Sequence, residues 1–251
     1  MREQHLALRR VETDVGGQMP PVNTVIHTVP FDDKVAADAD ALARTLAVKV
    51  TTGSFTERGQ AARELDSLLR HTTGLAKAHH VSAFVRILLE AETPVLLVGW
   101  HRDVYDIWLK ELATYKPVLF TGSESAAQKK RAKDAFVHGG TDLLVMSLRS
   151  GVGLDGLQHR CATVVFGELD WSPQVHRQVI GRLRRPGQTK QVDALYLVCD
   201  GGSDPALIEA LGLKASQSRA IVDPMKGAEQ QFTDDTRIKR LAEMYLAGQR
   251  R

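Results

Sequence analysis

The chain has almost no cysteine. Cys161 and Cys199 are the only two in 251 residues. That is too few for a disulfide framework, and they form no metal-ligand pair. A reducing cytosol is the compartment this usage suggests, so a cytoplasmic protein is expected. Long hydrophobic runs are missing too. Stretches such as Val95–Val98 and Leu143–Met146 fall far short of the roughly 18 apolar residues of a membrane span. Met1-Arg2-Glu3-Gln4 leads into no signal-peptide core, and no membrane partner is expected. Charge of one sign does not dominate either: 33 Lys and Arg face 30 Asp and Glu, which by itself argues for no partner. Finally, neither the dipeptide Gly-Lys nor Asp-Glu occurs anywhere. The first absence excludes a phosphate-cradling P-loop within these residues.

What is present is the composition of a globular chain. Hydrophobic residues make up 43% and charged residues 25%, which excludes a disordered or fibrous polymer. The length suits one large domain or two small ones with a sizeable core. Residues 1 to about 30 read as irregular, broken by Gly16-Gly17 and Pro20-Pro21, with one short strand over Thr24–Val29. Residues 32 to about 92 are helical in pattern. Leu42, Leu46 and Val50 recur at helical spacing, as do Leu65, Leu68 and Leu69. Thr51-Thr52-Gly53-Ser54 separates a first helix from a second, and a further helix is expected from about His79 to Ala91.

After Pro94 the pattern changes. The apolar runs Val95–Gly99, Pro117–Phe120, Asp142–Ser147, Thr163–Phe166 and Asp193–Val198 alternate with helical stretches near 102–114, 125–138 and 173–185. This predicts an α/β fold with a parallel sheet covered by helices on both faces, preceded by a helical N-terminal segment. The expected units are residues 1–92, 93–225 and a C-terminal helix over 226–251, with a loop near Asp223-Pro224. Such sheets carry their sites beyond the C-terminal strand ends, so the loops there are where chemistry is expected.

Two of these loops stand out. Ser147-Leu148-Arg149-Ser150-Gly151-Val152-Gly153-Leu154-Asp155-Gly156 leaves a predicted strand with three glycines. Glycine allows close backbone approach, and exposed N–H groups in such a turn can hold an anion. A tight surface turn is the plainer reading. In the second loop, Ser172-Pro173 marks a helix start that Pro186-Gly187 ends. Gln178, Arg182 and Arg185 then share one face, if the helix persists that far. Gly181 sits mid-helix, where glycine costs about 1 kcal/mol against alanine. A close neighbour or ligand would explain it. Guanidinium groups fixed this way suit phosphate oxygens. The alternative is a solvated basic helix, as for Lys129-Lys130-Arg131 and Lys133.

These residues resemble a known family. Gln178 through Gln188 looks like motif VI of superfamily 2 helicases, and Gly187-Gln188 points to the Swi/Snf-type DNA translocases. Other landmarks follow in family order. Leu8-Arg9-Arg10, Asp14-Val15 and Pro20 resemble the opening of the second lobe, and Gly74-Leu75-Ala76-Lys77 the segment before motif IV. Val95 to Val104 resembles motif IV; Thr121-Gly122, Arg131 and Phe136 resemble the stretch after it. Ser147 to Leu157 resembles motif V, Asp170-Trp171-Ser172-Pro173 the segment before motif VI, and Gly202-Ser203-Asp204 the end of the lobe. The likeness covers about residues 6 to 225.

The resemblance implies a RecA-like C-terminal helicase lobe working with ATP, Mg²⁺ and DNA. It implies that Arg182 and Arg185 reach across an interlobe cleft to ATP phosphates, with Gln178 and Gly181 supporting them. It assigns Ser147, Ser150, Gly151, Gly153 and Asp155 to coupling between nucleic acid and the ATP site. Here Ser150-Gly151-Val152-Gly153 is one residue shorter than the family pattern, and Asp155 replaces an asparagine. His101, Arg102, Arg149 and Trp171 are candidate nucleic-acid contacts. Trp171 either stacks on a base or packs the motif V loop. The P-loop and the magnesium-binding Asp-Glu of the family are absent, so an N-terminal lobe is an expected partner and ATP turnover by this chain alone is expected to be negligible. A non-catalytic nucleic-acid-binding or regulatory lobe is the alternative. His79-His80 and His159-x-Cys161 lack a second pair at ligand spacing, so no metal site is expected.

Overall fold

The computed structural model describes residues 19–150, 154–213 and 234–248. Gly151 and Gly153, the segments at Leu8 and Asp14, and the loop at Asp223 lie outside these described residues. Strand β1 (Val22–Thr28) leads to helices α1 (Asp33–Thr52) and α2 (Phe55–Glu90). Next come β2 (Val95–Gly99), α3 (Arg102–Glu111), β3 (Val118–Phe120), α4 (Ala126–Val137) and β4 (Leu143–Ser147). The chain continues through β5 (Thr163–Phe166), α5 (Pro173–Leu183), β6 (Val192–Val198), α6 (Asp204–Leu211) and α7 (Asp234–Gly248).

The six strands form one sheet in the order β1-β6-β5-β2-β4-β3. Every pairing is parallel. β2 and β5 are buried along their whole length, which is why they read as unbroken apolar runs. Alternate residues divide between the two faces. Leu96, Val98, Leu144, Met146, Val164 and Phe166 join α1, α4, α5 and α7 in one core. Val95, Leu97, Leu143, Val145 and Val165 join α3 and the second half of α2 in the other. The period of two in a strand assigns each side chain to its face.

The expected break before His79 does not exist. α2 is one helix of 36 residues, about 54 Å long at 1.5 Å per residue. Its first half packs on α1 and α7, and its second half on the α3 side of the sheet. Between the two it crosses the C-terminal edge of the sheet. Thr73 Oγ1 accepts from the Ser203 N–H at 2.8 Å. Lys77 Nζ donates to the Leu197 carbonyl at 2.8 Å and to Asp204 Oδ2 at 2.6 Å. Gly74 marks this crossing rather than a helix end. A Cβ there would lie 2.5 Å from Glu168 Oε1, so the close approach requires glycine.

Candidate nucleic-acid and nucleotide interface

β2 and β5 are neighbours, yet β2 leads to α3 on one face and β5 to α5 on the other. A crevice opens beyond such a pair of strand ends. In it lies Glu168, only 4% exposed. Its Oε2 accepts from the Trp100 N–H at 2.6 Å and the His101 N–H at 3.0 Å. Its Oε1 meets His101 Nδ1 at 2.6 Å. One carboxylate thus holds the loop after β2 in place. The His101 ring lies 5.0 Å from that of His71, whose Nε2 meets Asp103 Oδ2 at 3.0 Å.

Beside this crevice is a pocket of about 310 Å³. Three segments distant in sequence converge on it: Trp100, Arg102 and Tyr105; Thr121, Gly122 and Ser123; and Ser147, Arg149 and Ser150. Its chemistry is that of hydroxyls, two guanidinium groups and an indole. Tyr105 is buried, and the one hydrogen-bonding neighbour of its hydroxyl among the described residues is the Ser147 side chain, too far off line for a well-formed bond. Burial, reinforced by the Glu168 charge, pushes its ionisation up, so it stays a neutral donor. Two neighbouring hydroxyls lining one pocket can share only one hydrogen bond between them, which leaves a donor available to a ligand acceptor.

Arg149 is half-exposed and donates through Nε and Nη2 to Asp170 Oδ2 at 3.2 and 2.9 Å. Its guanidinium carbon lies 5.3 Å from the Trp100 ring centroid, and that of Arg70 lies 5.8 Å away. Both distances fall in the cation–π range. Trp171 takes a different place from the one a stacking role needs. It is buried, and its Nε1 donates to Asp66 Oδ1 at 2.7 Å. The ring packs in the core with Leu169 and Ile180 and leaves no open face for a base. Asp66 is itself pushed up from the ordinary carboxylate range by burial, against the Trp171 hydrogen bond and Arg70.

The second segment forms α5. Pro173 occupies the first turn, as expected, but Ser172 makes no side-chain cap bond. Asp170 Oδ1 instead accepts from the Ser172 N–H at 2.9 Å. The helix ends at Leu183, short of Arg185, so Gln178, Arg182 and Arg185 do not form one helical face. Gln178 is exposed, and Arg182 is half-buried with no hydrogen bond or ion pair among the described residues. Arg185 turns back: its Nε donates to the Gly181 carbonyl at 2.9 Å, and its Nη1 pairs with Asp155. The structure thereby joins motif V to motif VI through the residue that departs from the family asparagine. Gly181 has no described atom within 4 Å of where a Cβ would sit, so no close neighbour within the fold demands it. Gln188 does a structural job, donating to the Cys161 carbonyl at 2.9 Å. Gly187 has φ +94°, and a Cβ there would strike the His159 ring at 2.6 Å.

Glu168, Trp100 and Tyr105 were not among the residues expected from sequence. Glu168 and Trp100 each follow within two residues of an apolar strand run, and that position is the signal that could have found them. Nothing local marks Tyr105. No group of three or more His, Cys, Asp or Glu able to hold an ion exists among the described residues.

A single all-parallel sheet flanked by helices, with motif V-like and motif VI-like segments at its strand ends, has the RecA-like α/β architecture. Comparison with known proteins agrees. No protein-family model matches the chain. It is 26% identical over 246 residues to mouse "DNA annealing helicase and endonuclease ZRANB3", covering 92% of this chain and 22% of that protein. It is 29% identical over 208 residues to the Bos taurus "SWI/SNF-related matrix-associated actin-dependent regulator of chromatin subfamily A-like protein 1", covering 78% and 22%. It thus spans about a quarter of the length of the curated relatives it matches. The solved "C-terminal part of Fun30 ATPase domain" superposes with TM-score 0.64 at 13% identity, covering 93% of this chain and 99% of that one. The "Sulfolobus solfataricus SWI2/SNF2 ATPase core in complex with dsDNA" gives 0.62 at 15%, covering 88% and 49%. In sequence and in fold the chain is similar to the C-terminal lobe of Swi/Snf-type superfamily 2 helicases. No described helix is long and apolar enough to cross a membrane.

Proposed function

We propose that these residues form the second lobe of an ATP-dependent DNA translocase. The pocket at the ends of β2, β3 and β4 seats a phosphate of the DNA backbone. Tyr105, Ser147 and Ser150 offer hydroxyl donors there, and Arg102 and Arg149 offer charge. The observation that carries this reading is the convergence on one pocket of the buried Tyr105 hydroxyl, its neighbour Ser147 and two guanidinium groups. The name of one solved neighbour, a core in complex with double-stranded DNA, supports the ligand.

The other half of the reading concerns α5. Arg182 has no partner among the described residues, and the one carboxylate that pairs with Arg185 there, beside the Gly181 carbonyl, is the solvent-exposed Asp155 at 68% exposure. Such a pair is weak and readily exchanged for a phosphate. ATP, held by an N-terminal lobe that brings the P-loop and Mg²⁺, would supply the charge these arginines stabilise. That lobe lies elsewhere in the same polypeptide or in a separate chain. Leaving Asp155 for ATP would let Arg185 report nucleotide binding to the loop that touches DNA. The protein works where DNA is held under reducing conditions.

The test is DNA-stimulated ATP hydrolysis by the purified chain, with and without a candidate N-terminal lobe. Turnover is expected only with both. An arginine finger contributes about 10³–10⁵ in rate, so Arg185→Ala in the two-lobe enzyme should remove turnover while leaving DNA affinity within about twofold. Hydrolysis at full rate by the 251 residues alone, or unchanged turnover in Arg185→Ala, would overturn the reading.

A further inference from the structure

A second cationic cleft lies away from the strand ends, at the tip of the α1–α2 hairpin. It encloses about 480 Å³ between the first turns of α2 and Lys239 of α7. Arg58, Arg63 and Lys239 line it, and no carboxylate does among the described residues. All three are exposed, and none makes an ion pair among the described residues. The acid in the first turn, Glu57, is already engaged: it accepts from Ser54 Oγ at 2.5 Å and from the Ser54 N–H at 2.9 Å, and these contacts, the hydroxyl first, hold its carboxyl below the ordinary range.

Two further features point to a ligand. Phe55 at the rim is 82% exposed, the most exposed large apolar side chain among the described residues. Exposure on that scale is unfavourable unless something covers the ring. Gly59 lines the cleft within α2, where glycine costs about 1 kcal/mol, yet a Cβ there would meet no described atom within 4 Å. Packing among the described residues does not ask for glycine at this position, and its lack of a side chain leaves the helix backbone open to the cleft.

We propose that this cleft is a second DNA-backbone site, with Arg58, Arg63 and Lys239 binding phosphates and Phe55 covering a sugar or base edge. It rests on the reading of the chain as a DNA-binding lobe. Guanidinium groups favour phosphate, and an aromatic beside cations is the usual make-up of a sequence-tolerant nucleic-acid contact. The cleft is also separate from the strand-end pocket. Phe55 and Arg70 lie fifteen residues apart on one continuous helix, about 22 Å at 1.5 Å per residue, the length of six or seven base pairs. A lobe held on DNA at both points would keep one contact while the other is released.

The experiment measures binding of the full chain to a fluorescent 30-base-pair duplex between 50 and 200 mM salt. It compares the wild type, the triple variant Arg58→Gln/Arg63→Gln/Lys239→Gln, and Arg149→Ala at the strand-end pocket. Three lost phosphate contacts should make the log–log salt slope shallower by between 2 and 3, so the variant should lose about 40-fold less affinity over that range than the wild type. Phe55→Ala should weaken binding severalfold with the slope unchanged. All five substituted positions are exposed, and circular dichroism checks that the fold is intact. A triple variant with the wild-type slope and affinity, in a chain that Arg149→Ala still weakens, would overturn the cleft and leave the strand-end reading standing. No salt-sensitive binding by the wild type would sink both. If the triple variant lost affinity for poly-glutamate but not for DNA, the cleft would take an acidic polypeptide instead and the proposal would fall.

Discussion

Glu168 and His101 are joined twice at the crevice between β2 and β5, through the His101 N–H at 3.0 Å and through its Nδ1 at 2.6 Å, and the same carboxylate accepts from the neighbouring Trp100 N–H at 2.6 Å. The residues are 67 positions apart. One belongs to the loop that enters the pocket; the other begins the segment that leads into α5. Removing the carboxylate leaves two buried backbone donors unmet, at about 1–3 kcal/mol for each. Glu168→Ala should therefore cost about 3 kcal/mol in urea unfolding. It should also weaken DNA binding at least fivefold by freeing Trp100 and His101. Glu168→Gln keeps an acceptor for one N–H and should lose less of both. Stability and binding unchanged in Glu168→Ala would show that the loop is held by something else.

Lys77 ties α2 to the C-terminal end of β6 and to the start of α6. Its ammonium pairs with Asp204, and both side chains are almost wholly buried, at 1% and 2% exposure. Asp204 also accepts from the Cys199 N–H at 3.0 Å. Breaking one partner of a buried pair leaves an uncompensated charge and costs about 3–5 kcal/mol. Lys77→Met should lose that much in chemical denaturation. Lys77→Met combined with Asp204→Leu should lose less than the two single changes added together. Strict additivity would mean that the pair carries no coupling.

His176 gives the fold a pH dependence. It lies buried on α5, stacked on Tyr196, with its ring centroid 4.7 Å from that of Phe166. Burial lowers its pKa from 6.5 to about 4, more than the Asp170 contact raises it. The folded chain therefore holds it neutral while the unfolded chain binds a proton. Stability is complete above pH about 6.5 and falls as the pH drops toward 4, by about 3 kcal/mol in all. His176→Phe should remove this component, so the two proteins should diverge in urea midpoint only below pH 6.5. Parallel curves from pH 7 to pH 4 would show that the ring titrates normally.

Much of the fold was legible because a fully buried parallel strand has a distinctive text. β2, β4 and β5 are unbroken apolar runs and fell where expected to within a residue or so. The long helix was less legible. Thr72-Thr73-Gly74 looks like a weak point, and the reason it does not break α2 is tertiary: Thr73 and Gly74 are small because Ser203 and Glu168 press against them. For the site, the order of motifs located motif V and motif VI, yet the face of α5 was misread. The backbone leaves the helix after Leu183, and Asp155 captures the arginine that follows.

By itself, then, the sequence determined which segments are strands, which are helices, and which loops hold charge and glycine. These are local matters of period, branching and capping, written in neighbouring residues. The tertiary structure alone decided that Trp171 is buried by Asp66, that Tyr105 reaches a pocket shared with Ser147, and that Arg58, Arg63 and Lys239 meet around one cleft. Each of these depends on residues tens to hundreds of positions apart. Their distance in space is set by the order of strands in the sheet and the length of α2, and no local propensity encodes either.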